Sequence, residues 1–261
     1  VNTLTHPFPK KKINPKAPDD WGKVRPLYWE EVSWDSQSSS FKGWVFVYGS
    51  GAPGILLTHG FNGNRQDLID LAYRLWERGY NVMICDLRSH GENTAEISTL
   101  GALEKSDVAA AMKKFKDLKY NKDTGKVGNT GDPLVDPQNV GIYGIDVSAF
   151  AALMVAADDD TIKGVVVDAP AFSVPDYVRT RMKQVYKTDS ELACSLVDKG
   201  MEYYLPKYDV GSALSAIAKY KGKGKKVMVI IGNDAGPYKN SAKKVFDQVG
   251  PTDGRMYTPT L

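Results

Sequence analysis

A strand that turns abruptly into a helix, between residues 139 and 150, constrains the fold more than any other stretch of this chain. Residues 140–145 form a short apolar run, and residues 148–157 are rich in alanine. A turn this tight forces the residue at its apex out of the sheet. The order Gly144-Ile145-Asp146-Val147-Ser148 places Asp146 at that apex. The sequence therefore predicts a single carboxylate that stands above the edge of a sheet.

Short apolar strands and helical patterns alternate along the rest of the chain. Strands are expected at residues 55–58, 81–86, 140–145, 164–170, 226–232 and 255–260, and helices at 65–78, 100–118, 148–157 and 240–249. This alternation predicts an α/β fold with a mostly parallel central sheet and helices on both faces. Two runs, 29–34 and 41–48, flank a polar turn and predict an antiparallel N-terminal hairpin at the edge of the sheet.

The length of 261 residues suits one large α/β domain. Residues 1–27 are rich in proline and lysine and are expected to form an extended N-terminal arm, which leaves 28–261 for the domain. Within it, residues 172–220 are helical, irregular and rich in tyrosine, and predict a helical cap. The polar segment 119–137 is long for a connection and is interpreted as a surface insertion.

Charge and hydropathy narrow the range of partners. The net charge is only +3, and the two local lysine clusters, at 10–12 and 219–226, are expected to be solvated surface. We therefore expect no nucleic-acid partner, and no apolar run is long enough for stable insertion in a membrane. Cys85 and Cys194 are expected to be buried thiols and do not decide the compartment. The chain begins at Val1, so a cytoplasmic protein and a processed secreted or anchored domain both stay open, as does the oligomeric state.

Two further loops are expected beside Asp146, because the carboxyl ends of parallel strands share one edge of a sheet. In the first, Phe61 follows a buried strand, and its N–H is expected to form a two-donor oxyanion site with the N–H of Val147. The expected substrate contacts at this edge are His59, Gly60, Phe61 and Ile145.

The other loop, at 232–237, follows a late strand. It carries Asp234, which is placed to orient a catalytic imidazole. A turn or a helix N-cap is the structural alternative for this aspartate.

Taken together, these motifs resemble the α/β-hydrolase superfamily from Trp29 to the end of the chain, and most of all its bacterial serine esterase and peptidase-like branch. The resemblance is carried by Gly43-Trp44, the His-Gly-Phe-x-Gly-Asn-Arg loop at 59–65, the Asp-x-Arg-x-His-Gly segment at 86–91 and Asp136-Pro137. It implies a small-molecule, ester-type substrate, no cofactor and no metal. It also implies a serine nucleophile, an acid after the late strand and a histidine after the last strand.

The chain departs from that branch at two points. Asp146 stands at the nucleophile position, and the three histidines, His6, His59 and His90, all precede it. In the branch, the position of His90 is structural. A carboxylate at the start of a helix is expected to have a low pKa. As a nucleophile toward an ester it is poor, since it adds negative charge beside the developing oxyanion and gives an anhydride.

Three hypotheses follow. The preferred one is a serine-hydrolase relative for ester-type substrates whose nucleophile has been replaced and whose C-terminal histidine loop is not in the given chain, so that hydrolysis is impaired. The second is an Asp-nucleophile hydrolase resembling haloalkane dehalogenases or epoxide hydrolases, which form an alkyl-enzyme ester; those relatives usually have Trp where this chain has Val147. The third is a non-catalytic protein that keeps the cleft for binding.

Overall fold

A computed structural model of the chain describes residues 5–6, 12–21, 27–205, 211–220, 222–232, 236 and 238–259. The strands are β1 (Trp29–Ser36), β2 (Ser39–Phe46), β3 (Ala52–Thr58), β4 (Asn81–Cys85), β5 (Lys119–Asn121), β6 (Lys126–Gly128), β7 (Asp132–Pro133), β8 (Val135–Ile145), β9 (Ile162–Asp168), β10 (Lys226–Ile230) and β11 (Gly254–Tyr257). The helices are α1 (Ala17–Trp21), α2 (Ile69–Trp76), α3 (Glu104–Asp117), α4 (Val147–Asp158), α5 (Val174–Tyr186), α6 (Glu191–Tyr204), α7 (Ala213–Ala218) and α8 (Tyr238–Val249).

The central sheet has eight strands in the order β1-β2-β4-β3-β8-β9-β10-β11. The strands from β4 to β11 in this order run parallel, while β2 pairs antiparallel with both β1 and β4. The predicted mostly parallel sheet with an antiparallel hairpin is therefore confirmed. The hairpin turn is tighter than the expected polar loop, because Gln37 and Ser38 both take positive φ, 51° and 63°. That conformation matches the right-handed twist of the two strands.

Helices cover both faces of this sheet. On one face, Leu56, Ile142 and Val165 belong to a large apolar core to which α3, α4, α7 and α8 contribute. On the other face, Leu57 and Ile84 pack with the buried side of α2. Residues 147–157 of α4 are buried on every side, which explains why this helix is apolar all round.

Helix α3 begins at Glu104, four residues later than the sequence pattern predicts. Leu100 and Gly101 take positive φ, 57° and 112°, so the chain cannot enter a helix there. The buried carboxylate of Glu104 accepts hydrogen bonds from the N–H groups of Thr99 and Gly101, at 2.9 and 2.8 Å. This carboxylate organises the turn that precedes the helix.

Other regions add detail to the sequence interpretation. The arm includes the short helix α1, in which Asp19 accepts a hydrogen bond from the Trp29 indole at 2.8 Å. The polar insertion folds into a small sheet of the order β6-β5-β7.

Cys85 and Cys194 are buried free thiols, as expected. Among the helices that the structure describes, none combines the length and the apolar character that crossing a membrane requires.

Candidate active site

The sharp turn between β8 and α4 is present as predicted. Asp146 is the residue between the two elements, and it takes φ 57° and ψ −116°. This backbone conformation costs a non-glycine residue on the order of 1–3 kcal/mol. Gly144 is required by the turn, because a Cβ there would lie 2.5 Å from the carbonyl oxygen of Ser148. The geometry therefore fixes one side chain, that of Asp146, at the edge of the sheet.

Ser148, two residues after the apex, belongs to the scaffold of this turn. Its buried Oγ accepts a hydrogen bond from the Ile145 N–H at 2.9 Å and lies 3.0 Å from the Thr58 carbonyl oxygen, to which it can donate. The hydroxyl thus ties the turn to the end of β3. A serine occupied in this way does not replace the serine that the resemblance implies at residue 146.

The first loop converges on the turn as expected. A Cβ on Gly60 would lie 3.2 Å from Cγ2 of Ile145 and 3.3 Å from Cβ of Asp146, so the two backbones pass close together. The Phe61 N–H donates to Oδ2 of Asp146 at 3.3 Å. The side chain of Asp146 makes no capping hydrogen bond to the start of α4, and the role of the Val147 N–H as a second oxyanion donor stays a prediction.

Two tyrosine hydroxyls complete the surroundings of Asp146. Tyr177, from α5, donates to Oδ2 at 3.1 Å. Tyr238, the first residue of α8, lies beside Tyr177 with the two ring centroids 6.2 Å apart, and its hydroxyl helps to lower the pKa of Asp146. Although part of Asp146 reaches the surface, its Oδ1 atom is buried and has no hydrogen-bond partner among the described residues. One oxygen of the carboxylate is therefore heavily bonded and the other is not.

Burial raises the pKa of Asp146 above its ordinary value. The positive charge of Arg181, the Phe61 N–H and the two tyrosine hydroxyls oppose this shift without cancelling it. The low pKa predicted from the sequence is therefore wrong. The physical reason is that α5 and α8 close over the carboxylate and remove the water that would stabilise its charge.

The same enclosure keeps both tyrosines protonated. Burial raises the pKa of Tyr177 and of Tyr238 well above that of a free phenol, and the charge of Asp146 raises both further. Both groups are therefore hydrogen-bond donors at any ordinary pH. The sequence predicts Tyr177 only as one tyrosine of the cap segment 172–220, and it does not single out Tyr238. The position of Tyr238 at the start of a helix, directly after the loop of Asp234, could have indicated that it lies near the site.

Neither histidine near the edge of the sheet reaches Asp146 with a free nitrogen. His59 accepts from the Leu87 N–H at 3.0 Å through Nε2, and its Nδ1 lies 2.8 Å from the Gly60 carbonyl oxygen. His90 accepts from the Asn62 N–H at 3.2 Å, and its Nδ1 lies 2.7 Å from the Arg88 carbonyl oxygen. Both imidazoles thus hold backbone in place. The expected substrate contact of His59 stays a prediction.

Burial, with a smaller effect from His59, lowers the pKa of His90 to about 3. His90 is therefore neutral at ordinary pH, and its two backbone contacts fix the proton on Nδ1. This geometry agrees with the structural role that the resemblance implies for His90.

The Asp-x-Arg-x-His-Gly segment is also scaffold. The Arg65 guanidinium is fully buried and forms ion pairs with Asp86 and Glu92, while its plane lies 4.6 Å over the Trp44 ring. Arg88 contacts both carboxylate oxygens of Asp107, at 2.6 and 3.0 Å. Apart from the Nε of Arg65, which has no hydrogen-bond partner among the described residues, these charged groups are paired with one another, so they hold the loops and do not face a ligand.

Asp234, the expected acid, lies outside the residues that the structure describes. Among those that it does describe, no group of three or more His, Cys, Asp or Glu side chains is arranged to hold a metal ion.

The whole chain was compared with solved structures, and several share its architecture. The Pyrococcus furiosus esterase Pf2001 superimposes with a TM-score of 0.71 over 98% of this chain and 90% of that one, at 18% identity. The α/β hydrolase GrgF from Penicillium sp. sh18 gives 0.63 over 90% and 91%, at 14% identity. A thioesterase domain from the curacin biosynthetic pathway gives 0.55 over 89% and 93%, at 12% identity.

The chain has the α/β-hydrolase fold. No family profile matches it. Among curated proteins, the polyketide transferase ATR5 of Stachybotrys chlorohalonatus (strain IBT 40285) is 24% identical over 137 residues. That match covers 50% of this chain and 40% of the transferase. In this fold, Asp146 is the residue at the turn between β8 and α4, and the Tyr177 hydroxyl donates to its carboxylate.

Proposed function

We propose that this chain binds ester-type, small-molecule acyl substrates at the Asp146 site and that its hydrolytic activity is impaired by the aspartate. The hydrogen bond from the Phe61 N–H to Oδ2 of Asp146 carries the proposal. That N–H belongs to the loop whose backbone would stabilise a developing oxyanion. Here the carboxylate takes the donor that the carbonyl oxygen of an ester would need.

Two features oppose hydrolysis through Asp146. Attack of a carboxylate on an ester carbonyl would bring a second negative charge next to Oδ2 and would form an anhydride. Within the described part of the chain, both imidazoles beside the site contact backbone groups, so neither is placed to activate water. The same proposal assigns Asp234 as the acid that would orient a catalytic imidazole.

The compared structures support the acyl class of substrate. Two of them are named as an esterase and a thioesterase domain, and the curated relative as a polyketide transferase. We extend this class to the present chain because it shares the fold of the esterase and because its first loop meets its elbow at Asp146. In this proposal α5 and α6 roof the substrate.

Serine at residue 146 tests the proposal. We expect D146S to hydrolyse p-nitrophenyl acetate and butyrate when free imidazole supplies the missing base, at a rate that saturates with ester concentration. The control is D146A, which has the same opened space and no nucleophile, and which subtracts the reaction of imidazole in solution. Equal rates for D146S and D146A at all imidazole concentrations would refute a hydrolase site that is impaired by the aspartate.

The Asp-nucleophile alternative keeps one specific observation in its favour. Two protonated tyrosine hydroxyls beside the carboxylate could donate to the leaving oxygen of an epoxide while Asp146 attacks its carbon. This reaction would leave an ester on Asp146, because no described imidazole is free to hydrolyse it. Intact-protein mass spectrometry after incubation with styrene oxide would detect the adduct, and D146N is its control.

A binding protein without catalysis is the remaining candidate. It would bind acyl compounds with no turnover in the wild type and in D146S alike.

A further inference from the structure

We infer that Asp146, Tyr177 and Tyr238 form an acid–base site that enolises a β-keto ester or thioester. In this site Asp146 removes a proton from the carbon between the two carbonyl groups, and the two hydroxyls hold the resulting enolate oxygen. The inference rests on the acyl site proposed above and specifies its substrate class. It assigns a reaction to the aspartate for which the fold's usual serine and histidine are not needed.

The hydrogen bonds around the carboxylate carry this inference. Oδ2 receives the Phe61 N–H at 3.3 Å and the Tyr177 hydroxyl at 3.1 Å, and the Tyr238 ring lies 6.2 Å from that of Tyr177. Two donors thus converge on Oδ2, with Tyr238 beside them. A carbonyl oxygen that displaces Oδ2 from this point would be held by the same donors.

The other oxygen of Asp146 provides the base. Oδ1 is buried without a hydrogen-bond partner among the described residues. A buried polar atom is normally satisfied, and among the described residues Oδ1 is the one carboxylate oxygen that is buried without a partner. An unshared lone pair in a site that excludes water is available to accept a proton from carbon.

The proposed step balances without a further reactant. Oδ1 of Asp146 takes the proton from C2, and the electron pair of the C–H bond moves to form the C=C bond of the enolate. The carbonyl π pair moves to its oxygen, where the hydroxyls of Tyr177 and Tyr238 and the Phe61 N–H donate hydrogen bonds. Return of the proton from Asp146 to C2 regenerates the substrate.

Burial shifts the pKa of each group in the direction that its proposed role requires. It makes the Asp146 carboxylate a stronger base than an exposed aspartate, since its pKa is raised, and the same burial keeps both phenols protonated as donors. Arg181 from α5 is the cation that faces the carboxylate, and it lies 5.3 Å from the centre of the Phe61 ring. Its charge also favours the enolate over the neutral ketone. Enolisation needs no activated water, so it needs no imidazole.

Hydrogen–deuterium exchange tests the inference without assuming a final product. The probe is the N-acetylcysteamine thioester of 2-methylacetoacetate in deuterated buffer, followed at C2 by proton NMR. We expect the wild-type chain to accelerate exchange over buffer, and D146N to lose about 100-fold or more of that acceleration. We expect Y177F and Y238F each to lose roughly 10-fold or more, since each removes one hydroxyl donor.

A matched control comes from the outer side of the cap. Tyr203 is 82% exposed, so Y203F removes a hydroxyl of the same kind and should leave exchange unchanged. The exchange rate of the wild type should also rise with pH through the raised pKa of Asp146, since only the carboxylate form accepts a proton. Near-UV circular dichroism of D146N and of both buried-tyrosine variants checks that the site still folds.

Exchange at the same rate in wild type and folded D146N would overturn the inference. Loss in D146N with no loss in either folded tyrosine variant would overturn the assignment of the enolate donors. If exchange is absent while D146S with imidazole hydrolyses esters, the acyl site stands and the enolisation chemistry fails. If both reactions are absent, the proposed function fails as well.

Discussion

Two polar regions meet at the edge of the sheet, and they are built in opposite ways. The histidine loops, residues 59–65 and 86–91, carry the motifs that resemble known hydrolases. Their buried charges and imidazoles contact one another or the backbone. The elbow site around Asp146 has fewer recognisable motifs. There the pKa of the Asp146 carboxyl group is raised, and its buried Oδ1 has no described hydrogen-bond partner.

Phe61 joins the two regions. Its ring packs edge-on against His90 at 5.5 Å, and its N–H donates to Asp146. The density of motifs in this chain therefore marks the scaffold that positions Phe61. The chemistry is better indicated by a buried carboxylate oxygen that folding leaves without a described partner, whereas the unpartnered Nε of Arg65 belongs to a guanidinium whose other nitrogens are ion-paired.

The largest effect that would test this contrast is loss of the Arg65 ion pairs. Arg65→Met leaves the fully buried Asp86 carboxylate without its guanidinium partner. Breaking a buried pair from one side costs about 3–5 kcal/mol, so we expect the free energy of unfolding to fall by this order. Urea denaturation measures it. The control is Arg74→Met, which removes the exposed pair with Asp70 and should leave the urea midpoint unchanged.

An unchanged midpoint for Arg65→Met would contradict the scaffold role of the histidine loops. In that case the charges of residues 86–91 would have to be reconsidered as ligand contacts.

The pH dependence of the free energy of unfolding also distinguishes the two regions. The pKa of His90 is about 3 in the folded chain, against an ordinary value of 6.5. Between these values the unfolded chain binds a proton that the folded chain does not, so stability falls as the pH falls below 6.5. By pH 5 this loss should reach about 2 kcal/mol. We expect His90→Gln to flatten this part of the stability curve.

Thermal unfolding at a series of pH values measures the wild type and His90→Gln. An equally steep acid loss in His90→Gln would show that another group is responsible.

Much of this fold follows from local sequence. Apolar runs predict the strands, and the spacing of Gly144, Asp146 and Ser148 predicts the elbow, because a turn this tight is governed by sterics within a few residues. The pKa of Asp146 could not be predicted in the same way. It depends first on burial by α5 and α8, which come later in the chain; Tyr177 of α5 lies 31 residues from the apex.

The start of α3 shows the same limit at smaller scale. Its helical pattern extends back to Leu100, but the Glu104 carboxylate draws the preceding N–H groups into a left-handed turn. At the start of α3, a side chain that accepts hydrogen bonds from several backbone N–H groups therefore outweighs the helical spacing of the apolar residues. Sequence patterns do not show which backbone groups a given carboxylate will reach.

The smallest effect concerns Asp146 itself and has the opposite sign to that of His90. Because its folded pKa is raised, the folded chain binds more protons than the unfolded chain between the ordinary pKa of 3.8 and the raised value. Its contribution to stability therefore decreases as the pH rises through this range.

We expect Asp146→Asn, which removes the buried charge at nearly constant size, to be more stable than the wild type at pH 8. This advantage should shrink as the pH approaches 4. Thermal unfolding of both proteins across this range measures it. A destabilised Asp146→Asn at pH 8 would mean that the hydrogen bonds to Oδ2 outweigh the burial of the charge, and the elbow would then resemble the histidine loops.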